Sequence, residues 1–170
     1  MSAEAGRALG RPTDLGWGPR LRALLNGDAP DAAVPGDLVD AVVKVLAAWD
    51  WADRPAGVIT LPSRSRPQLI ESLGRQIAQV GQMPYLGPLE YAGRNRPAAS
   101  QFNSAQRLRA LWDAFTVPGS VRAALVALAG PVLLADDRID TGWTMTVAAR
   151  LLREAGATGV LPLALAVSTG

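Results

Sequence analysis

The sequence predicts an α/β domain in which helices cover both faces of a mostly parallel sheet. Three apolar runs, at 57–61, 131–135 and 160–167, are typical of buried strands, and segments with helical periodicity stand between them. A chain of 170 residues with 49% apolar side chains has the size and composition of one globular domain. Strands that alternate with helices in this way favour parallel pairing, with helices on both sides of the sheet.

Helix positions follow from periodic apolar side chains together with start and stop signals. Asp37 is predicted as an N-cap, Pro67 suits the first turn of a helix, and Gly81 and Gly156 mark helix ends. Helices are therefore predicted at 20–25, from 37 to before Pro55, and at 67–80, 104–113, 121–128 and 144–155. A weaker strand is predicted at 85–91, and an exposed loop at 92–100.

The first 36 residues differ in character from the rest of the chain. Glycine, proline and aspartate interrupt them repeatedly, so they are predicted to form a linker or irregular lead-in to a domain over 37–170. Within this lead-in, Leu15 and Trp17 are expected to pack against the body of the domain.

The composition excludes several kinds of site. Cysteine and histidine are both absent, so disulfides, thiolate metal sites and histidine general bases are excluded and no metal site is predicted. Catalysis would have to use Asp, Glu, Lys, Arg or Tyr, and no catalytic residue is assigned. The N-terminus is not a secretory signal and no apolar run reaches about 18 residues, so a cytoplasmic protein is expected.

Positive charge is concentrated in one third of the chain. The formal net charge is +2, but the stretch from Arg54 to Arg109 holds eight arginines against Glu71 and Glu90. This imbalance indicates a surface that faces a polyanion such as phosphate or nucleic acid. A solvated surface that uses arginine without any partner is the alternative interpretation.

The segment from Pro131 to Ala155 has the pattern of a phosphate site. An apolar strand precedes Asp136 and Asp137, and a short loop then leads into a helix near Thr141. Ligands of open α/β sheets sit at the carboxyl ends of strands, and a helix N-terminus offers N–H donors and a positive dipole end. The pattern therefore predicts a site for a sugar 5′-phosphate.

This segment resembles the motif with which phosphoribosyltransferases bind phosphoribosyl pyrophosphate (PRPP). The resemblance implies that Asp136 and Asp137 contact the ribose hydroxyls, with Mg²⁺ as a possible companion of PRPP. It also implies a 5′-phosphate pocket lined by Asp140, Thr141, Gly142 and Thr144. Residues 57–67 are similar to the pyrophosphate-side loop of that family, especially in its ComF-like members. The implied fold is phosphoribosyltransferase-like.

A second resemblance covers nearly the whole chain. Residues 13–18, 45–51, 62–67, 103–108 and 136–144 resemble the C-terminal phosphoribosyltransferase-like domain of actinobacterial RecQ-type DNA helicases. The resemblance implies that DNA is a partner, together with a helicase core in the same polypeptide, in unwinding, recombination or repair. The sequence has no Walker A motif, so this chain is not expected to unwind DNA by itself.

Three functions follow as hypotheses. The first is an accessory nucleic-acid-binding domain, in which phosphate-binding loops and arginines hold DNA and an indole stacks on bases. The residues predicted to contact nucleic acid are Arg64, Arg66, Arg94, Arg96, Arg107, Arg109 and Trp143. The second is a phosphoribosyltransferase that uses PRPP, and the third is a regulatory interaction module without a ligand.

Overall fold

The computed structural model describes residues 5–93 and 112–168. The strands are β1 (Arg7–Gly10), β2 (Gly57–Thr60), β3 (Tyr85–Pro88), β4 (Glu90–Tyr91), β5 (Phe115–Thr116), β6 (Val132–Ile139) and β7 (Val160–Val167). The helices within these ranges are α1 (Gly18–Leu25), α2 (Gly36–Ala47), α3 (Pro67–Gly81), α4 (Gly119–Ala127) and α5 (Trp143–Glu154).

A five-stranded parallel sheet forms the centre of the domain, in the order β1-β7-β6-β2-β3. In its middle, Gly57 pairs with Val132, and Val132 pairs in turn with Val160. A separate antiparallel pair consists of β4 and β5. This arrangement confirms the α/β fold with a mostly parallel sheet that was predicted from the sequence.

Two apolar layers sandwich the central sheet. Successive side chains of a strand point to opposite faces, so Val58 and Leu133 face one layer whereas Ile59 and Leu134 face the other. The first layer is completed by α1, α2 and α3, and the second by α4 and α5. Strands buried on both faces need continuous apolar runs, which is why β2, β6 and β7 were recognisable in the sequence.

The predicted elements agree with the structure at most positions, but several boundaries differ, and α2 ends at Ala47, well before Pro55. Strand β6 continues to Ile139, four residues beyond the predicted end at 135. The weak strand predicted at 85–91 is divided at Leu89 between β3 and β4, which belong to different sheets. Pro35 precedes α2, so Asp37 lies in the first turn, where its carboxylate pairs with Arg20 instead of capping the helix.

Part of the prediction lies outside the described residues. This applies to the helix predicted at 104–113, except for its last two residues, and to most of the loop predicted at 92–100. Across the described residues, no helix combines the length and apolar character that crossing a membrane requires.

The lead-in predicted over residues 1–36 requires a correction. Residues 7–10 form β1, which pairs in parallel with β7, and Leu21 and Leu25 of α1 are buried in the first apolar layer. Trp17 packs against that layer as expected, but Leu15 is 99% exposed. The domain therefore begins before residue 37. The four-residue strand contains no β-branched residue, so its sequence gave no strand signal.

Candidate phosphate-binding site

Two helices begin at the same edge of the parallel sheet. Parallel strands all point the same way, so the connections from β2 to α3 and from β6 to α5 both leave at the carboxyl edge. This is the edge where open α/β sheets bind their ligands. The predicted ribose residues lie at the end of β6, the predicted phosphate residues lie between them and the first turn of α5, and Arg64 and Arg66 lie in the β2–α3 connection.

Asp136 and Asp137 lie on the part of β6 that extends beyond β2. Pairing with β2 ends at Thr60 opposite Ala135, whereas pairing with β7 continues to Ile139. At the acidic pair, β6 therefore no longer pairs with β2 but still pairs with β7. The Asp137 N–H donates to the Asp136 carboxyl group over 2.8 Å, which holds the two residues together.

The pKa of the Asp136 carboxyl group is raised from 3.8 to about 8, with burial as the largest cause and the neighbouring charge of Asp137 as the next. Asp140 contributes a smaller effect in the same direction. A carboxyl group with a pKa of about 8 is mostly protonated at neutral pH, whereas one with the ordinary value of 3.8 is ionised. Asp136 therefore adds little negative charge to the edge at which an anion would approach.

The first turn of α5 is open. Gly142 precedes the helix in a left-handed conformation (φ 77°, ψ −11°), and no side chain of the described residues caps the helix there. A Cβ added at Gly142 would meet nothing within 4 Å. Asp140 and Thr141 are exposed, Thr144 is partly buried, and Trp143 is 50% exposed. The predicted phosphate residues thus surround a helix N-terminus that solvent reaches.

The first turn of α3, in contrast, is occupied. The two oxygens of the Asp31 carboxylate accept hydrogen bonds from the N–H groups of Gln68 and Leu69, at 2.9 and 3.0 Å. Asp31 was not predicted as a site residue. It follows Pro30 in the irregular lead-in, 36 positions before the start of α3, and nothing in the sequence connects the two.

Arg66, which was predicted to contact nucleic acid, is buried in this structure. Its side chain is only 9% exposed, and its guanidinium group donates to the main-chain oxygens of Leu24 and Asn26. Arg138, also missed by the sequence analysis, donates to the intervening oxygen of Leu25 over 3.2 Å. Both arginines therefore bind the carboxyl end of α1.

Arg64 is exposed at the same edge and contacts an aromatic ring. The carbon at the centre of its guanidinium group lies 4.6 Å from the centre of the Tyr91 ring. The Tyr91 hydroxyl donates to the main-chain oxygen of Pro62, which fixes the ring against the β2–α3 loop. The remaining predicted arginines, Arg94, Arg96, Arg107 and Arg109, lie outside the described residues.

Potential metal ligands do not form a cluster within residues 5–93 and 112–168. No group of three or more acidic side chains comes together there in an arrangement that would hold a metal ion. Asp136 and Asp137 are the adjacent pair to which the PRPP resemblance assigned ribose contacts, and their placement beside α5 agrees with the predicted order of the segment.

Three solved structures are similar to this chain. One is the glutamine PRPP amidotransferase of B. subtilis in complex with ADP and GMP, at 26% identity and a TM-score of 0.48. The similarity covers 75% of this chain but only 26% of the amidotransferase chain.

The other two are smaller proteins. The adenine phosphoribosyltransferase of Leishmania tarentolae is 15% identical, with a TM-score of 0.45, over 78% of this chain and 69% of its own. The purine phosphoribosyltransferase of Pyrococcus horikoshii is 16% identical, with a TM-score of 0.45, over 81% and 77%. No protein-family model and no curated protein matches the sequence.

Proposed function

We propose that this chain is an accessory nucleic-acid-binding domain of a RecQ-type DNA helicase, and that it holds single-stranded DNA at the start of α5. One observation carries the proposal. A half-exposed indole, Trp143, is the first residue of a helix whose N-terminus is open. At this turn, a DNA phosphate could accept hydrogen bonds from the helix N–H groups, and the base next to it could stack on Trp143.

The phosphate contact rests on the backbone of α5. The first N–H groups of a helix have no partner within the helix, and the helix dipole adds partial positive charge at that end. Gly142 allows a phosphate to approach closely, because it has no Cβ and the space around it is open. The hydroxyl groups of Thr141 and Thr144 are further donors on the same turn.

The base contact rests on Trp143. Stacking of a base on an aromatic side chain contributes about 1–3 kcal/mol and tolerates any base, because every base has a π-face. Of the five exposed large apolar side chains among the described residues, only Trp143 and Trp112 are aromatic. Trp112 already stacks on a cation, since the Arg150 guanidinium carbon lies 4.2 Å from its ring centre. Trp143 is therefore the better platform for a base.

Arg64 supplies positive charge near this edge. It is exposed, and its contact with Tyr91 orients the guanidinium group without neutralising it. A protein that neutralises several phosphates loses DNA affinity steeply as salt increases, with a slope of about −0.7 per phosphate on single strands. The proposed binding is therefore expected to weaken between low and physiological salt.

The helicase assignment rests on the sequence resemblance and is part of the proposal. Under it, a helicase core in the same polypeptide supplies ATP hydrolysis and unwinding, and this domain holds DNA in the cytoplasm during recombination or repair. The absence of a Walker A motif from the sequence agrees with this division of work.

A titration of this chain against fluorescent single-stranded and double-stranded DNA at two salt concentrations tests the proposal. Trp143→Ala is expected to weaken single-strand binding by about 1–3 kcal/mol, which is roughly five- to 150-fold. Trp112→Ala is the matched control, because it removes an indole of similar exposure that is already stacked. Binding that ignores salt, or that is equally weakened by both changes, would refute the proposal.

The second candidate function is PRPP binding by a phosphoribosyltransferase, with Mg²⁺. The acidic pair Asp136 and Asp137 beside the α5 turn favours it. Calorimetric titration with PRPP and Mg²⁺ distinguishes the two functions, since micromolar binding that is lost in Asp136→Asn and Asp137→Asn would support the enzyme. Nucleic acid remains the preferred ligand, because Asp31 fills the other helix N-terminus at this edge, on the loop that resembles the pyrophosphate side.

A further inference from the structure

We propose that this domain forms a two-fold symmetric dimer through an open groove between β1 and α2, and that Leu15 of each copy inserts into the groove of the other. The groove belongs to the first apolar layer, whereas Trp143 lies on α5, which covers the second layer. The inference therefore does not depend on the proposed nucleic-acid function.

The groove is large and mostly apolar. Its volume is about 510 Å³, and four side chains supply its apolar surface: Leu9, Trp17, Ala41 and Val45. Leu9 belongs to β1, which is the outermost strand on its side of the parallel sheet. The edge strand of a sheet is a place where another chain can attach unless something covers it. An apolar groove beside this strand is a surface that a second chain would cover.

Leu15 projects from a loop that is already fixed. Its side chain is 99% exposed, in the connection between β1 and α1. The Asp14 carboxylate accepts a hydrogen bond from the Arg11 N–H over 2.7 Å, and the Asp14 N–H donates to the Arg11 main-chain oxygen over 3.0 Å. Because these bonds hold the loop, burial of Leu15 removes apolar surface from water at little cost in backbone freedom.

The charges on the rim of the groove are self-complementary. Asp40 and Lys44 lie one turn apart on α2, and neither forms a salt bridge with any residue that the structure describes. If two copies of α2 pack antiparallel about a two-fold axis near Ala41, Asp40 of each copy lies opposite Lys44 of the other. A parallel pair would instead bring like charges together, so the charge pattern selects the antiparallel arrangement.

The same symmetry brings Leu15 to the groove of the second copy. The loop that carries Leu15 lies near the first turn of α2, because Arg20 at the start of α1 pairs with Asp37 over 3.1 Å. In an antiparallel pair, the first turn of one α2 lies beside the last turn of the other. Leu15 then lies opposite Val45 of the second copy, and the two-fold axis repeats this contact.

These features favour a second copy of this chain over other occupants. One surface supplies an apolar groove, a projecting leucine and rim charges of both signs, which is the pattern that a self-complementary interface requires. A nucleic-acid strand is a poor occupant, because Asp37 and Asp40 line the groove and would repel its phosphates.

Sedimentation equilibrium of the whole chain at increasing concentration tests the proposal. The unaltered chain is expected to shift from the monomer mass to twice that mass. Leu15→Ser is expected to raise the dissociation constant of the dimer at least about tenfold, because two leucine side chains lose their apolar contacts. Val126→Ser is the matched control, since it alters a side chain that is 73% exposed on α4, at the second layer.

Charge reversal distinguishes a contact between two copies from an effect within one copy. Asp40→Lys places positive charges opposite each other and Lys44→Asp places negative charges opposite each other, so each variant alone is expected to dissociate. An equimolar mixture of the two variants is expected to dimerise again, because opposite charges then meet. Asp53→Lys is the control, since Asp53 is exposed and does not line the groove.

A monomer at every concentration would overturn the proposal, as would a dimer that Leu15→Ser leaves unchanged or a charge-variant mixture that stays monomeric. Circular dichroism checks the fold of each variant. Leu15→Ala and Asp40→Asn replace any variant whose spectrum differs from that of the unaltered chain, and both are expected to weaken the dimer. Failure of this test leaves the DNA titration unaffected, because that test measures the other layer of the domain.

Discussion

The helices α3 and α5 begin at the same edge of the same sheet, yet only one of them is open. The first turn of α3 holds the Asp31 carboxylate, and the arginine before it is buried under main-chain oxygens. The first turn of α5 begins after a left-handed glycine, carries a half-exposed indole and has no side-chain cap among the described residues.

This contrast shows that local chemistry does not determine which helix end is left open. Both turns offer N–H donors and a positive dipole end, and both follow a buried parallel strand. The difference arises from a partner distant in sequence, since Asp31 belongs to a segment that crosses one turn and not the other. A prediction of a ligand site therefore has to consider every segment that lies along this edge of the sheet, and not only the sequence motif at one helix start.

Asp31 and Asp136 also differ in their surroundings, and the contribution of Asp136 to stability should depend on pH. The Asp31 carboxylate is bound by N–H donors, whereas Asp136 is buried beside Asp137 and has a pKa of about 8. Between about pH 4 and pH 8 the folded state retains a proton on Asp136 that the unfolded state releases. The free energy of unfolding should therefore fall as pH rises, by up to about 1.4 kcal/mol per pH unit.

Chemical denaturation at pH 5, 6, 7 and 8 measures this slope. Asp136→Asn should reduce it and make the protein more stable at pH 8 than the unaltered chain, because asparagine does not ionise. Asp28→Asn is the control, since Asp28 is exposed and is not among the groups that shift the pKa of Asp136. A slope that survives in Asp136→Asn would show that another group is responsible.

Arg64 and Arg66 provide the next largest difference. Arg66→Ala should lower the free energy of unfolding by about 2–3 kcal/mol, because it leaves main-chain oxygens of α1 without their charged donor. Arg64→Ala should lower it by less than about 1 kcal/mol, because the exposed guanidinium loses only its contact with the Tyr91 ring. Urea denaturation of both variants checks the difference, and equal losses would contradict the assigned roles.

The same pair shows why the sequence predicted the fold better than the site. Strands β2, β6 and β7 were predictable because burial on both faces imposes continuous apolar runs. Arg64 and Arg66 lie two positions apart in one serine- and arginine-rich loop, and nothing local distinguishes a buried donor from an exposed one. Their difference depends on α1, which contacts the loop across about 40 positions.

Strand β1 and the contact of Asp31 with α3 were missed for a related reason. Strand β1 has the sequence RALG, which lacks the β-branched residues that indicate a strand, and it is stabilised by pairing with β7. Asp31 stands among glycine, proline and alanine, where an acidic residue usually indicates a turn. Both features depend on contacts between distant parts of the chain, and periodicity detects only local order.

The smallest expected effect concerns how the two helices begin. Helix α3 follows Arg66 at φ −138°, which any residue adopts, whereas α5 follows Gly142 at φ 77°. Gly142→Ala should lower the free energy of unfolding by about 1 kcal/mol, because a left-handed conformation is unfavourable for alanine. The cause would be conformational and not steric, since an added Cβ at Gly142 meets nothing within 4 Å.

Gly142→Asn separates these two causes, because asparagine adopts the left-handed conformation more readily although its side chain is larger. The asparagine variant should therefore lose less stability than the alanine variant in urea denaturation. A larger loss for asparagine would indicate that the space above Gly142 is closed. A closed α5 turn would resemble the α3 turn, and a phosphate would then have no open helix N-terminus at this edge.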